Sequence, residues 1–291
     1  MLNRLLGWFY PSYHNYDPRT AEWFLMSGPG PVIIILAMYL YICTSGRSFM
    51  RDKPPYTLRK TMIVHNLIQV FFNIYLIREG LMAGWLYDYS YSCQPFVYSE
   101  SPSDIRMARS VHLYFICKII QLLDTVFVVL RKKERQLSLF HICYHITAVT
   151  YSWIGVRYMA GGHSTFIGLL NCFVLTFVYS YYLLAAIGPK VQKYLVWKKY
   201  LTALQIVRFV IADLHSIQVF FIDCTVPKST ALGTIVISTT FTYMLASFYV
   251  QNYHKSNVNN VACVGVSKNN SSSLKSNKKD FKLQSIPGQC D

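Results

Sequence analysis

Acidic residues are scarce in this chain: 13 Asp and Glu stand against 28 Lys and Arg, a formal net charge of +15 over 291 residues. Charge of either sign is scarce too, at 14% of residues, where an ordinary soluble domain carries roughly 25%. A water-exposed globule is thereby excluded. The 14 glycines and 11 prolines are too few for a collagen-like or low-complexity chain, and a hydrophobic fraction of 53% excludes intrinsic disorder. No two cysteines are spaced C-x-x-C, which excludes a zinc ribbon or a thioredoxin-type motif. The opening stretch MLNRLLGWFYPSYHNYDPRT has neither an unbroken apolar core nor a small-residue cleavage site, so the first span is expected to insert uncleaved. What is abundant is apolar sequence in long runs, with a mean hydropathy of +0.28. The chain reads as an integral membrane protein.

A hydrocarbon core of about 30 Å takes about 20 apolar helical residues to cross. Seven stretches between charged or Pro/Gly-rich breaks approach that length: 31–44, 61–85, 110–130, 137–156, 166–187, 200–222 and 230–250. Membrane β-barrels alternate over segments of about ten residues, and runs such as PVIIILAMYLYI do not alternate, so the fold is expected to be all-α. Lys and Arg collect in alternate loops: Arg47, Arg51, Lys53, Arg59 and Lys60 after the first span, Arg131, Lys132, Lys133 and Arg135 after the third, Lys190, Lys193, Lys198 and Lys199 after the fifth. Short basic loops stay cytosolic, which puts the N-terminus in the lumen and the C-terminus in the cytosol. Residues 1–250 then form the membrane domain, and 251–291, rich in Asn, Ser and Lys, a flexible basic cytosolic tail.

Polar residues inside spans are expensive and mark function by default. Span three carries Lys118, Gln121 and Asp124 on one side of its helix. The plain alternative is a buried network joining helices; the sharper reading is the polar wall of a cavity. Span four opens SLFHICYHITAV, with His141 and His145 at i and i+4 and Tyr144 on the same face. A metal would need a further ligand that no carboxylate on this helix supplies, so the pair reads as acid/base or nucleophile, against the alternative of a helix–helix hydrogen bond. Asn171 in span five wants a partner, and span six adds Thr202, Gln205 and Arg208 every three residues, then Asp213 and His215. The basic mouths Arg131–Lys133 and Lys198–Lys199 suit a phosphorylated ligand. Cys43, Cys117, Cys143, Cys172 and Cys263 fall in spans or cytosol, where a disulfide is not expected, and read as small apolar fillers. Cys93 and Cys224 both fall in luminal loops, where they are free either to pair or to stay reduced.

With these residues on view the chain resembles the ELO family of very-long-chain fatty acid elongases. The resemblance runs through DPRTAEWFLMSGPGP, SPSDIRMAR, KIIQLLDTVFVVLRKK, RYMAGGHSTFIGLLN, YSYYLLAAIGP and QKYLVWKKYLTALQ. It implies seven transmembrane helices in the endoplasmic reticulum membrane, six of them forming a barrel around an acyl-chain tunnel, and a luminal disulfide between Cys93 and Cys224. It implies decarboxylative condensation of fatty acyl-CoA with malonyl-CoA to a 3-oxoacyl-CoA two carbons longer, with no metal or redox cofactor and no nucleic acid. Membrane lipids, and other elongation enzymes or an elongase dimer partner, are the implied company. Lys118, Asp124, His141, His145 and Asn171 would support the chemistry. Arg131, Lys132, Lys133, Tyr179, Tyr182, Lys198, Lys199, Thr202 and Gln205 would bind substrate.

The departures from the family patterns are specific. In K-x-x-E-x-x-D-T, Gln121 stands for the Glu; in H-x-x-H-H, Tyr144 stands for the middle His, which the family uses as acyl-accepting nucleophile. In N-x-x-x-H-x-x-M-Y-x-Y-Y, Leu175 and Val178 replace the His and Met, and in T-x-x-Q-x-x-Q, Arg208 replaces the last Gln. A neutral phenol of ordinary pKa near 10 is a weak nucleophile. Two expectations follow: an active very-long-chain 3-oxoacyl-CoA synthase with an altered site, or a catalytically impaired homologue that binds acyl-CoA or an active elongase.

Overall fold

The computed structural model describes residues 16–254, and among them all regular structure is helical. Helix α1 spans Gly30–Met50, α2 Arg59–Gly80, α3 Pro102–Gln121, α4 Leu123–Leu130, α5 Leu139–Tyr158, α6 Thr165–Ile187, α7 Lys198–Ile217 and α8 Lys228–Tyr249. The described residues up to 249 form one compact unit; of the second, only the π-helical turn Val250–His254 is described, so the tail expected over 251–291 lies almost wholly outside the described residues.

Among the described residues, six helices are long and apolar enough to cross a membrane: Gly30–Met50, Arg59–Trp85, Pro102–Leu130, Thr165–Ile187, Lys198–Phe220 and Lys228–Asn252. Hydropathy therefore marks six spans, one fewer than the seven runs in the sequence. Helix α5 has 20 residues, about 30 Å at 1.5 Å per residue, but it carries His141, His145 and Arg157 and does not reach that hydropathy. Large apolar side chains such as Ile33, Met38, Tyr41, Val64 and Phe71 point outward, half or more exposed, as a lipid-facing surface requires.

Helix boundaries follow local chemistry. Helix α3 starts eight residues before the apolar run because Ser101 caps it: Ser101 Oγ accepts from the Asp104 backbone N–H at 3.2 Å, and Pro102 occupies the first turn. Helix α1 runs past Thr44 to Met50, and Gly46 within it permits close packing, since a Cβ there would lie 2.7 Å from Val129 Cγ1 on α4. Helix α6 stops at Gly188, at φ +122°, ahead of Pro189; Arg59 donates to its last carbonyls, Ala186 and Ile187.

Helix α2 packs on α6, α6 on α7, α7 on α8, α8 on α5, α5 on α3 and α3 on α2, which closes a ring of six helices. Helix α1 packs against α4 and α5 instead. The segment before α1 is tied to the end of α5: Asp17 N–H donates to Arg157 O at 2.8 Å and Thr20 Oγ1 to Val156 O at 2.9 Å, while Asp17 holds the Arg19 guanidinium at 2.7 Å. Burial lowers the Arg19 pKa, but Asp17 outweighs it and leaves the guanidinium above its ordinary value. Helices α2 and α3 are joined by Arg106, which donates through Nε and Nη2 to Glu79 at 2.7 and 3.0 Å.

Cys93 and Cys224 form a disulfide across 131 residues of sequence, with Cα atoms 5.8 Å apart. Beside it, His163 and His215 stack with ring centroids 3.8 Å apart, and Gln218 Nε2 donates to His215 Nδ1 at 3.0 Å. Burial of His163 lowers its pKa and keeps it neutral. The cross-link closes a long loop in the unfolded chain, so the Cys93→Ser, Cys224→Ser protein should lose about 2–5 kcal/mol, a drop in Tm of roughly 5–15 °C in detergent. An unchanged Tm would show that the bridge contributes nothing.

Candidate active site

The polar side chains of α2, α3, α5, α6 and α7 meet within the ring. On α3, Lys118 is 1% exposed, a placement an ammonium tolerates only with acceptors around it. It donates to Asn171 Oδ1 on α6 at 2.8 Å and to Gln121 Oε1 at 3.1 Å, and stands 4.6 Å over the Tyr114 ring. Asn171 Nδ2 in turn donates to Tyr144 Oη on α5 at 3.1 Å. Lys118, Asn171 and Tyr144 are thus one hydrogen-bonded chain across three helices. Tyr144 packs its ring between Phe140 and Phe241 at 6.0 and 5.7 Å, and the Arg208 guanidinium carbon of α7 lies 5.9 Å from its centroid.

A second network lies around Asp124. His65 Nε2 lies 2.9 Å from Asp124 Oδ1, and Tyr179 donates to Asp124 Oδ2 at 2.6 Å. The neighbouring Thr125 Oγ1 contacts His141 Nε2 at 2.7 Å and donates to Tyr39 at 3.2 Å. His145 stands between the two networks: its ring centroid is 4.5 Å from His141 and 5.8 Å from Tyr144. The five residues Lys118, Asp124, His141, His145 and Asn171 therefore fall into two adjoining groups, with Lys118 and Asn171 in one, Asp124 and His141 in the other, and His145 touching both.

The other positions singled out in the sequence are spread more widely. Tyr179 is buried against Asp124, and Tyr182 stands at its edge, ring centroids 6.1 Å apart and 45% exposed. Thr202 is buried and donates to Lys198 O at 3.5 Å, and Gln205 is half-buried one turn on. Lys198 and Lys199 are exposed at the start of α7, with Lys199 Nζ 4.9 Å over Tyr200. Beyond α4, Arg131 and Lys133 are half-buried, while Lys132 is exposed with Nζ donating to Arg51 O at 3.0 Å. Lys132 borders a cavity of about 480 Å3 between α1 and α4, together with Arg47, Arg51, Glu134 and Leu137. That cavity is separate from the Lys118–Tyr144 chain.

Helix α2 contributes a stripe that the sequence reading passed over: His65, Gln69 and Asn73, at i, i+4 and i+8, all buried. Gln69 Oε1 accepts from Gln121 Nε2 at 3.1 Å and from Cys117 Sγ at 3.3 Å, so Gln121 bridges α2 to Lys118. The signal was present, since three polar residues at that spacing in an apolar helix define one inward face. Leu175, by contrast, sits in an apolar cluster with Val174, Val178 and Tyr179 and has no proton to give.

Residues 24–261 match the ELO family, described as the GNS1/SUR4 family. The chain is 43% identical over 251 residues to very long chain fatty acid elongase 7 of Drosophila melanogaster, covering 86% of this chain and 76% of that protein. It is 38% identical to very long chain fatty acid elongase 4 of Mus musculus over 87% of this chain and 82% of that protein. Against very long chain fatty acid elongase 7 of Rattus norvegicus it is 45% identical over 72% of this chain and 75% of that protein.

Proposed function

Because the chain belongs to the ELO family, we propose that it elongates fatty acids, condensing fatty acyl-CoA with malonyl-CoA to a 3-oxoacyl-CoA two carbons longer. The observation that carries this reading is the hydrogen-bonded chain Lys118–Asn171–Tyr144, buried inside a closed ring of six helices. A buried cation that holds an amide donor in place suits a reaction in which negative charge develops on a thioester oxygen and on a decarboxylating malonyl group. His141 and His145 are the candidate proton carriers, and Asp124 fixes the helices around them through His65 and Tyr179.

The ring would hold the acyl chain, with α5 as the seventh crossing. CoA would enter at the basic end of the ring, its phosphates met by Arg131, Lys132 and Lys133 from one side and Lys198 and Lys199 from the other, with Tyr182, Thr202 and Gln205 lining the approach. The membrane is that of the endoplasmic reticulum, the N-terminus luminal and the C-terminus cytosolic, which the alternation of basic loops supports. The Cys93–Cys224 bridge then faces the oxidising side.

Purified protein in detergent, given malonyl-CoA and a panel of saturated and unsaturated acyl-CoAs, should yield 3-oxoacyl-CoA two carbons longer by mass spectrometry. Acyl-CoA binding without product from any of them would overturn this reading in favour of a binding homologue that acts on another elongase.

A further inference from the structure

We infer that Tyr144 is the acyl-accepting nucleophile of this chain, an inference that rests on the condensation reading above. Its hydroxyl ends the hydrogen-bonded chain from Lys118, and Arg208 stands beside its ring. Lys118 and Arg208 are 1% and 5% exposed, and among the described residues neither takes part in an ion pair. Lys118 has two amide oxygens as acceptors, and Arg208 Nε has no hydrogen-bond partner. Two buried cations with neutral partners are expensive. An anion formed near both is stabilised, and Tyr144 is the group placed for it: Asn171 Nδ2, itself oriented by Lys118, donates to its Oη at 3.1 Å, and the Arg208 guanidinium stands 5.9 Å from its ring.

Chemistry and geometry agree on the step. Tyr144 Oη attacks the thioester carbonyl carbon; a C–O bond forms, the C–S bond breaks, and the phenolic proton leaves with the CoA sulfur as CoA-SH. Malonyl-CoA then loses CO2, and the electron pair left on its C2 attacks the tyrosyl ester. The new C–C bond forms, the C–O bond to Tyr144 breaks, and the phenolate takes a proton from solvent. Lys118 and Arg208 stabilise the charge on Oη in both halves. A phenol and a thiol have ordinary pKa values near 10 and 8.5, so the tyrosyl ester keeps the acyl group about as activated as the thioester did. The two departures Tyr144 and Arg208 then fit together: an imidazole attacks in its neutral form, whereas a phenol attacks as its anion, which a second cation in addition to Lys118 stabilises.

The test is acylation of the whole protein by acyl-CoA without malonyl-CoA, read by intact mass and peptide mapping. The expected result is one acyl group replacing one hydrogen, on the peptide holding Tyr144, lost on adding malonyl-CoA. Tyr144→Phe keeps the ring packing and should give no adduct and turnover lower on the order of 10^3-fold. Arg208→Gln should slow acylation about tenfold or more, with partial recovery in Arg208→Lys, where a structural loss would show equally in both. An adduct on Cys143 or His145, no adduct at saturating acyl-CoA, or Tyr144→Phe within about tenfold of wild type would overturn the assignment. An adduct on Tyr144 with no elongated product would overturn the condensation reading and leave acyl transfer to Tyr144 standing.

Discussion

Lys118→Met is expected to lower condensation by the purified protein by about 10^2-fold or more, the order seen when one preorganised charge-stabilising donor is removed. Methionine fills nearly the same volume, so packing against the Tyr114 ring survives. What disappears is the donor that orients Asn171 and Gln121. Their oxygens become buried acceptors without partners, at about 1–3 kcal/mol each, and the Asn171 amide is free to turn away from Tyr144. The loss should therefore appear in both turnover and Tm. Lys118→Arg should recover part of the charge but little of the geometry, since a planar guanidinium does not replace a compact ammonium between two amides. Turnover of Lys118→Met within about threefold of wild type would remove this residue from the site.

Asp124→Ala carries the second large effect, and it falls mainly on stability. Asp124 accepts the Tyr179 hydroxyl at 2.6 Å and pairs with His65 at 2.9 Å, so it ties α4 to α6 and α2. Its removal strands two polar groups on buried side chains, at about 2–5 kcal/mol in total, and thermal unfolding in detergent should show it as a fall of several degrees or more. Asp124→Asn keeps one acceptor and should lie between. Because Tyr179 and His141 lean on this network through Asp124 and Thr125, Asp124→Ala should also lower turnover. If the two variants melt with the wild type, the network has no structural weight.

Much of this was legible in the sequence, for physical reasons. Apolar runs of about 20 residues can only be helices in lipid, and Lys118, Asp124, His141, His145 and Asn171 announced themselves as polar residues in such runs. Boundaries were less legible where a cap outweighed hydropathy: Ser101-Pro102 starts α3 well inside polar sequence, and Gly46 looks like a break but serves close packing. The fourth run was read as a span on its apolar residues, yet its histidines and Arg157 bring α5 below the hydropathy of the other six. Helix α2 is the least apolar of the six, and its stripe His65, Gln69 and Asn73 was legible only from its spacing. The link from Lys118 through Asn171 to Tyr144 joins residues 53 and 27 apart in the chain, which no local pattern encodes. Tyr144 stood out in the sequence for sharing a face with His141 and His145 and for departing from a motif. Its surroundings give it a role.

The most direct test of the central claim follows carbon dioxide. Malonyl-CoA labelled in its free carboxyl group, supplied to the purified wild-type protein with and without acyl-CoA, should release labelled CO2 only when acyl-CoA is present, in equal amount to the 3-oxoacyl-CoA formed. Release that ignores acyl-CoA, or none at all while acyl-CoA binds, would contradict condensation within the six-helix ring.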